Sequence, residues 1–204
     1  MKAPPCFRPL ALVSVLVLAS PALAAAPPDK AHEQFFAMVK AASRKASLSS
    51  TRTVGSATGI EYSDTLGGGG VIVGFDFWTS NYTQHLVVNG VCPVYQTASG
   101  RVRGKARGYR VGNLITVEAR EGFAVSGVTA KSGDRMDRVQ VEFMRINYPT
   151  RDLDPNSLYK SGWVGGKGGL KDHHLTGGGK LIVGIYGASG DELDRFGLLY
   201  LGTK

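Results

Sequence analysis

A repeated segment near the C-terminus constrains the fold of this 204-residue chain more strongly than any other feature. Residues 181–200 match residues 124–143 in one frame, without a gap, at a constant offset of 57 residues. Seven positions match in that frame: Gly127/Gly184, Ser132/Ser189, Gly133/Gly190, Asp134/Asp191, Asp137/Asp194, Arg138/Arg195 and the aromatic pair Phe143/Tyr200. A repeat of this period favours stacked or radially arranged units that share one hydrophobic core.

A looser third copy lies upstream. Residues 71–75 resemble the opening strand of the repeat, and residues 91–95 resemble the closing strand. Five extra residues, around positions 82–86, lengthen the turn between them. In this copy Ser80 stands where the turn glycine is expected, and Asn89 is the best match to the aspartate. The repeat is therefore threefold, with a degenerate first unit.

The N-terminus has the features of a secretory signal peptide. Two basic residues, Lys2 and Arg8, precede an apolar run at residues 10–19, and Ala22-Leu23-Ala24 has the small-x-small form of a cleavage site. This pattern predicts a signal peptide at residues 1–24, cleavage near Ala24 to Ala26, and a secreted or periplasmic protein. The apolar run is too short for a membrane span, so we expect no transmembrane segment after cleavage. An uncleaved N-terminal anchor is the alternative.

Residues 25–52 are predicted to form one α-helix and a polar linker ahead of the rest of the chain. Asp29 is a suitable N-cap for a helix that runs to about residue 46, and residues 47–53 are polar. We expect the helix to pack against the following domain or to act as a stalk; a membrane-surface or docking helix is the alternative. Apolar residues recur in the helix at spacings of three and four, which makes one stripe: Ala31, Phe35, Met38, Val39, Ala42 and Ala46.

The predicted mature chain is large enough for one hydrophobic core and has a basic surface. It keeps 22 of the 24 basic residues against 16 acidic ones, a net charge of +6. A basic surface favours contact with anionic polymers. Cys92 is its single cysteine, so no internal disulfide can form, and we expect that side chain to be buried on a strand.

From residue 53 to the end, short runs of Val, Ile, Phe and Tyr alternate with glycine clusters, which is typical of many short strands. We expect a turn-rich connection at residues 147–159, because Pro149 and Pro155 interrupt it. The predicted strands lie near 53–62, 71–77 and 87–96 in the first unit, 103–109, 114–119, 124–131 and 139–146 in the second, and 162–165, 170–176, 181–186 and 196–201 in the third.

Three sheets of this size cannot be stable separately, so their inner faces are expected to meet in a common core around a pseudo-threefold axis. The predicted fold class is therefore all-β, with one helix in front of it. The candidate core residues are Val73, Phe75, Val125, Val128, Val139, Phe143, Ile182, Ile185, Leu198 and Tyr200.

The C-terminal repeat, Gly184-Ile-Tyr-Gly-Ala-Ser-Gly-Asp-Glu-Leu-Asp194-Arg-Phe-Gly197, resembles the last repeat of the jacalin-related lectins. The resemblance covers about residues 53–204 and implies a divergent secreted member of bacterial type. It also implies the β-prism fold, which consists of three Greek-key sheets. In that family a Gly-x-x-x-Asp turn binds a mannose- or galactose-type sugar, with the carboxylate accepting hydrogen bonds from hydroxyls and backbone amides donating. By that resemblance the candidate site residues are Gly190, Asp191, Glu192, Leu193 and Asp194, and in the second copy Gly133, Asp134 and Asp137.

A glycine-rich segment also resembles the family, in which a Trp-Gly-Gly-x-Gly-Gly strand lies beside the sugar site. The corresponding segment is Trp163-Val-Gly-Gly-Lys-Gly-Gly169, which adds Gly166 and Gly168 to the candidate site. Typical members carry this strand first in the chain, paired with the last repeat. Its position directly before the last repeat suggests a circularly permuted order, with the segment still joining the third sheet. Trp163 and Tyr186 are candidate stacking platforms for a sugar.

Other readings of these residues stay open. Asp137 and Asp194 could be structural, each accepting the amides of its own turn. Arg138 and Arg195 are expected to pair with surface carboxylates. The adjacent His173 and His174 would point to opposite faces of a strand, so we expect no metal site there.

The predicted function is non-catalytic carbohydrate binding without a cofactor, since no motif of a common enzyme class is present. The expected partner is a mannose- or galactose-type glycan or an anionic polysaccharide, with no nucleic acid. A homo-oligomer is kept as an alternative. The competing function is that of a cell-envelope structural or protein-interaction module on the same scaffold, without a working sugar site.

Overall fold

The computed structural model describes residues 30–44, 48–133, 135–169, 171–190 and 192–202, which form one helix and three antiparallel sheets. The predicted signal peptide and the predicted N-cap, Asp29, lie outside these residues. The elements are α1 (Lys30–Arg44), β1 (Leu48–Ser50), β2 (Val54–Gly55), β3 (Ile60–Thr65), β4 (Val71–Tyr82), β5 (His85–Thr97), β6 (Gly100–Arg103), β7 (Arg107–Gly108), β8 (Asn113–Glu118), β9 (Phe123–Ser132), β10 (Met136–Asn147), β11 (Asp152–Gly165), β12 (Lys171–Thr176), β13 (Ile182–Ser189) and β14 (Leu193–Leu201).

A long hairpin forms the centre of each sheet, and each hairpin is one copy of the sequence repeat. The first sheet has the order β6-β5-β4-β8 with β7 also on β5, and the second has the order β11-β10-β9-β12. The third has the order β1-β14-β13-β3, with β2 also on β14. The three-sheet, all-β architecture predicted from the repeat is confirmed.

The outer strands belong to different sheets than the sequence predicted. Strands β6, β7 and β8 pair with the first hairpin rather than the second. Strand β12 and the segment around Trp163 pair with the second hairpin rather than the third. Strands β1, β2 and β3 complete the third sheet from the front of the domain. The first and second sheets therefore take their outer strands from the chain that follows their own hairpins, and the third sheet takes them from the front of the domain.

The predicted turn-rich connection at residues 147–159 is wrong, because most of it belongs to β11. Tyr159 pairs with Phe143, and the register shifts between the partners Leu158 and Asp154. Pro155 lies within that shift on an edge strand. The N–H that proline lacks is not needed for a ladder hydrogen bond at this position. A proline on an edge thus does not end the strand.

The inner faces of the sheets form a common hydrophobic core, as predicted. Nine of the ten candidate core residues are buried, and Tyr200 is partly buried against them. Phe75 of the first sheet and Phe196 of the third meet edge to face, with ring centroids 5.9 Å apart. Cys92 is buried on β5, as expected. Its thiol donates to the carbonyl of Gly104 at 3.3 Å, and burial raises its pKa.

The helix packs against one end of the three sheets. Phe35, Phe36 and Val39 are buried in the same core, and Phe35 meets Tyr148 of the β10–β11 turn with ring centroids 4.9 Å apart. Gly69 of the β3–β4 loop lies against Lys40, so closely that a Cβ there would lie 2.4 Å from the Cβ of Lys40. The helix therefore covers the end opposite to the turns at 82–85, 132–136 and 189–193. The predicted end near residue 46 lies outside the described residues, and the buried face of the helix agrees with packing on the following domain.

The predicted linker is partly ordered as a strand. Leu48 pairs with Leu201 and Ser50 with Leu199, so residues that look polar in sequence form the edge strand β1. Along the parts of the chain that the structure describes, no helix combines the length and the apolar character that crossing a bilayer requires.

Substituting Phe36→Ala should lower the free energy of unfolding of the whole domain by about 3–5 kcal/mol, because it leaves a cavity between the helix and the sheets. Denaturant unfolding measures the loss. Gln34→Ala, an exposed change on the same helix, is the control and should shift stability by less than about 0.5 kcal/mol. Equal stability of the two variants would mean that the helix does not contribute to the domain core.

Candidate functional site

The β13–β14 hairpin ends in a turn that holds the carboxylate of Asp194 by both oxygens. The N–H of Gly190 donates to Oδ2 at 2.8 Å. The hydroxyl of Thr58, on the β2–β3 loop, donates to Oδ1 at 2.9 Å. A carboxylate has about four acceptor positions. The fixed Asp194 side chain can therefore still accept hydrogen bonds from the hydroxyls of a ligand.

The β9–β10 hairpin repeats this turn with Asp137. The N–H of Gly133 donates to Oδ2 of Asp137 at 2.9 Å, which reproduces the bond from Gly190 to Asp194. The Gly-x-x-x-Asp pattern of the two repeats is therefore one local structure, formed twice. Asp134 and Asp191, which were also predicted at the site, lie outside the described residues.

A glycine-rich loop flanks each of the two carboxylates. Ser56 donates its N–H to the carbonyl of Asp194 at 2.8 Å, and Gly166 donates to the carbonyl of Asp137 at 2.9 Å. Both loops begin and end with glycines at positive φ, Gly55 and Gly59 in one and Gly165 and Gly169 in the other. They are therefore equivalent loops beside equivalent turns.

This equivalence corrects the predicted place of the glycine-rich segment. Gly166 and Gly168 flank Asp137 in the second sheet, not Asp194 in the third. A Cβ on Gly168 would lie 2.2 Å from Oδ1 of Asp137, so only glycine leaves space for the carboxylate there. The loop beside the Asp194 turn is instead residues 55–59, at the front of the domain. The segment that flanks the last repeat therefore comes first in the domain, and the predicted circular permutation is wrong.

The first unit carries the same loop but no carboxylate. Gly108 and Gly112 again have positive φ, and Tyr109 donates its N–H to the carbonyl of Asn89 at 2.7 Å. Asn89, which the sequence matched to the aspartates, is 3% exposed and donates from its amide to Ser80 Oγ at 3.1 Å. The degenerate first unit of the sequence is thus degenerate in structure as well.

All three turns lie at the same end of the sheets and contact one another. Arg135 of the second turn forms an ion pair with Glu192 of the third. Its guanidinium also lies 3.5 Å from the centroid of the Tyr82 ring, in the first hairpin. A cavity of about 330 Å³ opens between the second and third turns, and its lining residues are Ser56, Thr58, Arg135, Glu192, Leu193 and Asp194.

The two arginines of the repeat have different partners. Arg195 pairs with Glu61 at 2.9 Å, as expected. Arg138 places its guanidinium over the Trp163 ring, 4.3 Å from the ring centroid, and forms no ion pair with a carboxylate of the described residues. Trp163 is 40% exposed and Tyr186 is half-buried.

The two histidines lie on β12, an outer strand of the second sheet. His174 lies 2.9 Å from Oε2 of Glu142, on the outer face of the second sheet. Within the described ranges there is no group of three or more His, Cys, Asp or Glu side chains suited to a metal ion.

Sequence reasoning missed Ser56, Thr58 and Arg135. The first two could have been found, because Gly-x-x-x-Gly occurs at 55–59, 108–112 and 165–169, once for each unit. Arg135 carries no sequence signal of its own, since its partners belong to other turns.

Solved structures that superpose on this chain include lectins. A Malaysian banana lectin variant superposes with a TM-score of 0.57 at 12% identity, covering 78% of this chain and 100% of the lectin. A mannose-specific jacalin-related lectin from Morus nigra, in complex with mannose, gives 0.55 at 14% identity over 78% of this chain and 97% of the lectin. The artocarpin–mannotriose complex gives 0.53 at 17% identity over 75% of this chain and 99% of artocarpin.

This chain has the fold of the jacalin-related lectins. No protein-family model matches the sequence, and a search of curated proteins gave no match. The jacalin-related fold was therefore recognisable from the repeat and the turn, although overall identity to these lectins is low.

Substituting Gly59→Ala should cost more stability than the same change at Gly122. Both glycines have positive φ (+89° and +76°), which costs a non-glycine residue about 1–2 kcal/mol. Only at Gly59 would the added Cβ also collide, since it would lie 2.5 Å from Oδ2 of Asp194, whereas nothing lies within 4 Å of it at Gly122. Denaturant unfolding of both variants gives the comparison. Equal losses would show that the loop can move away from Asp194 at no cost.

Proposed function

We propose that the protein is a non-catalytic carbohydrate-binding protein whose sugar sites are the turns at Asp137 and Asp194. The observation that carries this proposal is the identical fixation of the two carboxylates, each accepting the N–H of the glycine four residues earlier. A carboxylate held in one orientation can accept hydrogen bonds from neighbouring hydroxyls of a sugar with little loss of side-chain entropy.

The position of the two turns supports binding to a glycan with several branches or repeats. Both lie at the end of the prism that is free of the helix, linked by the Arg135–Glu192 ion pair. A single shallow sugar site is weak, but two sites that face one surface bind a multivalent glycan with a high effective concentration.

The comparison structures favour a mannose-type sugar. Artocarpin is complexed with mannotriose, and the Morus nigra lectin is described as mannose-specific. Anionic polysaccharides stay within the proposal because the predicted mature chain is basic, and galactose-type sugars stay within it because the family resemblance includes them.

The signal-like N-terminus supports a secreted or periplasmic location. N-terminal sequencing of the naturally produced protein tests that, with a start directly after Ala24 to Ala26 expected.

One observation supports the competing function, an envelope interaction module with structural turns. Thr58 and Gly190 already donate to the two oxygens of Asp194, so this carboxylate also stabilises its own hairpin and loop. The two functions predict different sugar binding for the wild type and for folded variants without the two aspartates.

Asp137→Ala and Asp194→Ala should each remove one sugar site, and the double variant should lose neutral-glycan binding. Hydrogen bonds to a charged group contribute about 1.5–3 kcal/mol, so each altered site should weaken at least about tenfold. A glycan panel finds the sugar, and calorimetric titration then gives the affinity and the number of sites. The control is Asp172→Ala, which removes the same charge from a side chain that is 58% exposed on β12.

The panel also separates the two functions. Binding to neutral sugars that the folded double variant lacks supports the proposal. If the wild type binds no sugar, or binds only anionic polymers in a way that salt abolishes, the turns are structural and the envelope-module function is favoured.

A further inference from the structure

A second depression lies on the outer face of the third sheet, close to the Asp194 turn. Its volume is about 570 Å³, within the range of about 300–1,000 Å³ for small-molecule sites. We call it the Tyr186 groove. Its lining residues are Thr53, Glu61, Tyr62, Ser63, Tyr186, Gly187 and Arg195.

Tyr186 is one of the residues that line the groove, and it has an aromatic ring. Tyr186 pairs across the hairpin with Gly197, and a Cβ on Gly197 would lie 2.4 Å from a ring carbon of Tyr186. The ring can therefore lie directly on the strand, which a side chain at position 197 would prevent. Its hydroxyl donates to the carbonyl of Thr51, which fixes the ring at a second point. One ring face is thus covered by Gly197, and the ring lines the groove.

Hydrogen-bonding groups surround this ring. Glu61 is 85% exposed and holds Arg195 through one carboxylate oxygen at 2.9 Å, so its other oxygen is available as an acceptor. Thr53 and Ser63 add hydroxyls. Burial raises the pKa of the Tyr62 phenol, which therefore stays protonated and donates to the carbonyl of Arg195 at 3.2 Å. An aromatic face with convergent acceptors and donors suits a sugar, whose C–H face is attracted to the negative face of the ring.

The groove lies next to the Asp194 site, although the two cavities have no lining residue in common. Arg195 follows Asp194 on β14 and pairs in register with Gly55, which begins the loop beside the carboxylate. Thr58 donates to Asp194, and three residues later Glu61 lines the groove. A chain of sugar units bound at the turn would therefore reach Tyr186 by passing the Glu61–Arg195 pair.

We propose that the Tyr186 groove is an extension subsite, which binds the next units of a neutral oligosaccharide whose terminal sugar occupies the Asp194 turn. The inference rests on the proposed function, and it makes the two sites unequal. In the second sheet the positions equivalent to Tyr186 and Gly197 are Thr129 and Gln140, which also pair with each other. Beside the Asp137 turn that position carries no ring. Trp163, which pairs with Gln140 from β11, lies under the guanidinium of Arg138, so we expect no equivalent extension there.

The test uses the Asp137→Ala protein as the parent, so that the measured affinity is that of the Asp194 site alone. Affinities for mannose and mannotriose, and for galactose and galactotriose, are measured by calorimetric titration before and after Tyr186→Leu. We expect the trisaccharide of the series that binds to lose about three- to tenfold in affinity, the size of an aromatic contact, while its monosaccharide changes less than about twofold. Tyr186→Phe keeps the ring face and should keep the preference for the trisaccharide.

Thermal unfolding of each variant checks that the sheet is intact, since Leu retains most of the apolar bulk over Gly197. An equal affinity for trisaccharide and monosaccharide in the parent protein overturns the subsite, as does a Tyr186→Leu change that affects both equally or neither. In those cases loss of monosaccharide binding in the double variant, Asp137→Ala with Asp194→Ala, would still leave the proposed function standing. If the parent binds neither monosaccharide, this inference fails, and if the wild type also binds no sugar, the proposed function fails with it.

Discussion

Burial of three small sheets against one another is the constraint on which the rest of the structure depends. Each sheet has one apolar face, and none has a second layer of its own to cover it. Contacts such as Phe75 against Phe196 bring the inner faces together at the axis. This packing aligns the three central hairpins, so their turns meet at one end and the helix closes the other. The candidate site is a product of that alignment, because Arg135 and Glu192 come from different sheets.

The internal symmetry extends further than the sequence repeat. Leu198 donates its N–H to the hydroxyl of Thr51 at 3.1 Å, and the equivalent Val141 donates to the hydroxyl of Ser161 at 2.9 Å. Residues 48–55 and 159–165 are thus equivalent strands, although few of their side chains match. The two segments share a side-chain hydroxyl that accepts a hydrogen bond from the hairpin, and after it a loop between two glycines of positive φ.

The sequence predicted the hairpins well and the edges of the sheets poorly, for a physical reason. A hairpin joins neighbours in the chain, so periodicity and turn residues such as Gly190 identify it locally. An edge strand of a Greek key arrives by a long connection, and nothing local specifies which hairpin it joins. Residues 103–109 and 114–119 were therefore placed in the wrong unit. The site divides in the same way: Asp137 and Asp194 were recognisable within their turns, whereas Thr58 contacts Asp194 across 136 residues of sequence.

The first unit shows why the threefold scaffold does not imply three equal sites. Asn89 is in the position of the aspartates, but it is buried and its amide donates to Ser80 and to the carbonyl of Val111. The hairpin around it is longer, and the carbonyl of Leu86 lies against Gly166, where a Cβ would be 2.2 Å away. Tyr82 of the same hairpin lies under the guanidinium of Arg135. The extra residues of this turn therefore support the loop beside Asp137 and hold the arginine that joins the other two turns. In the first unit a longer hairpin without the carboxylate therefore contacts the loop beside Asp137 and the arginine between the other two turns.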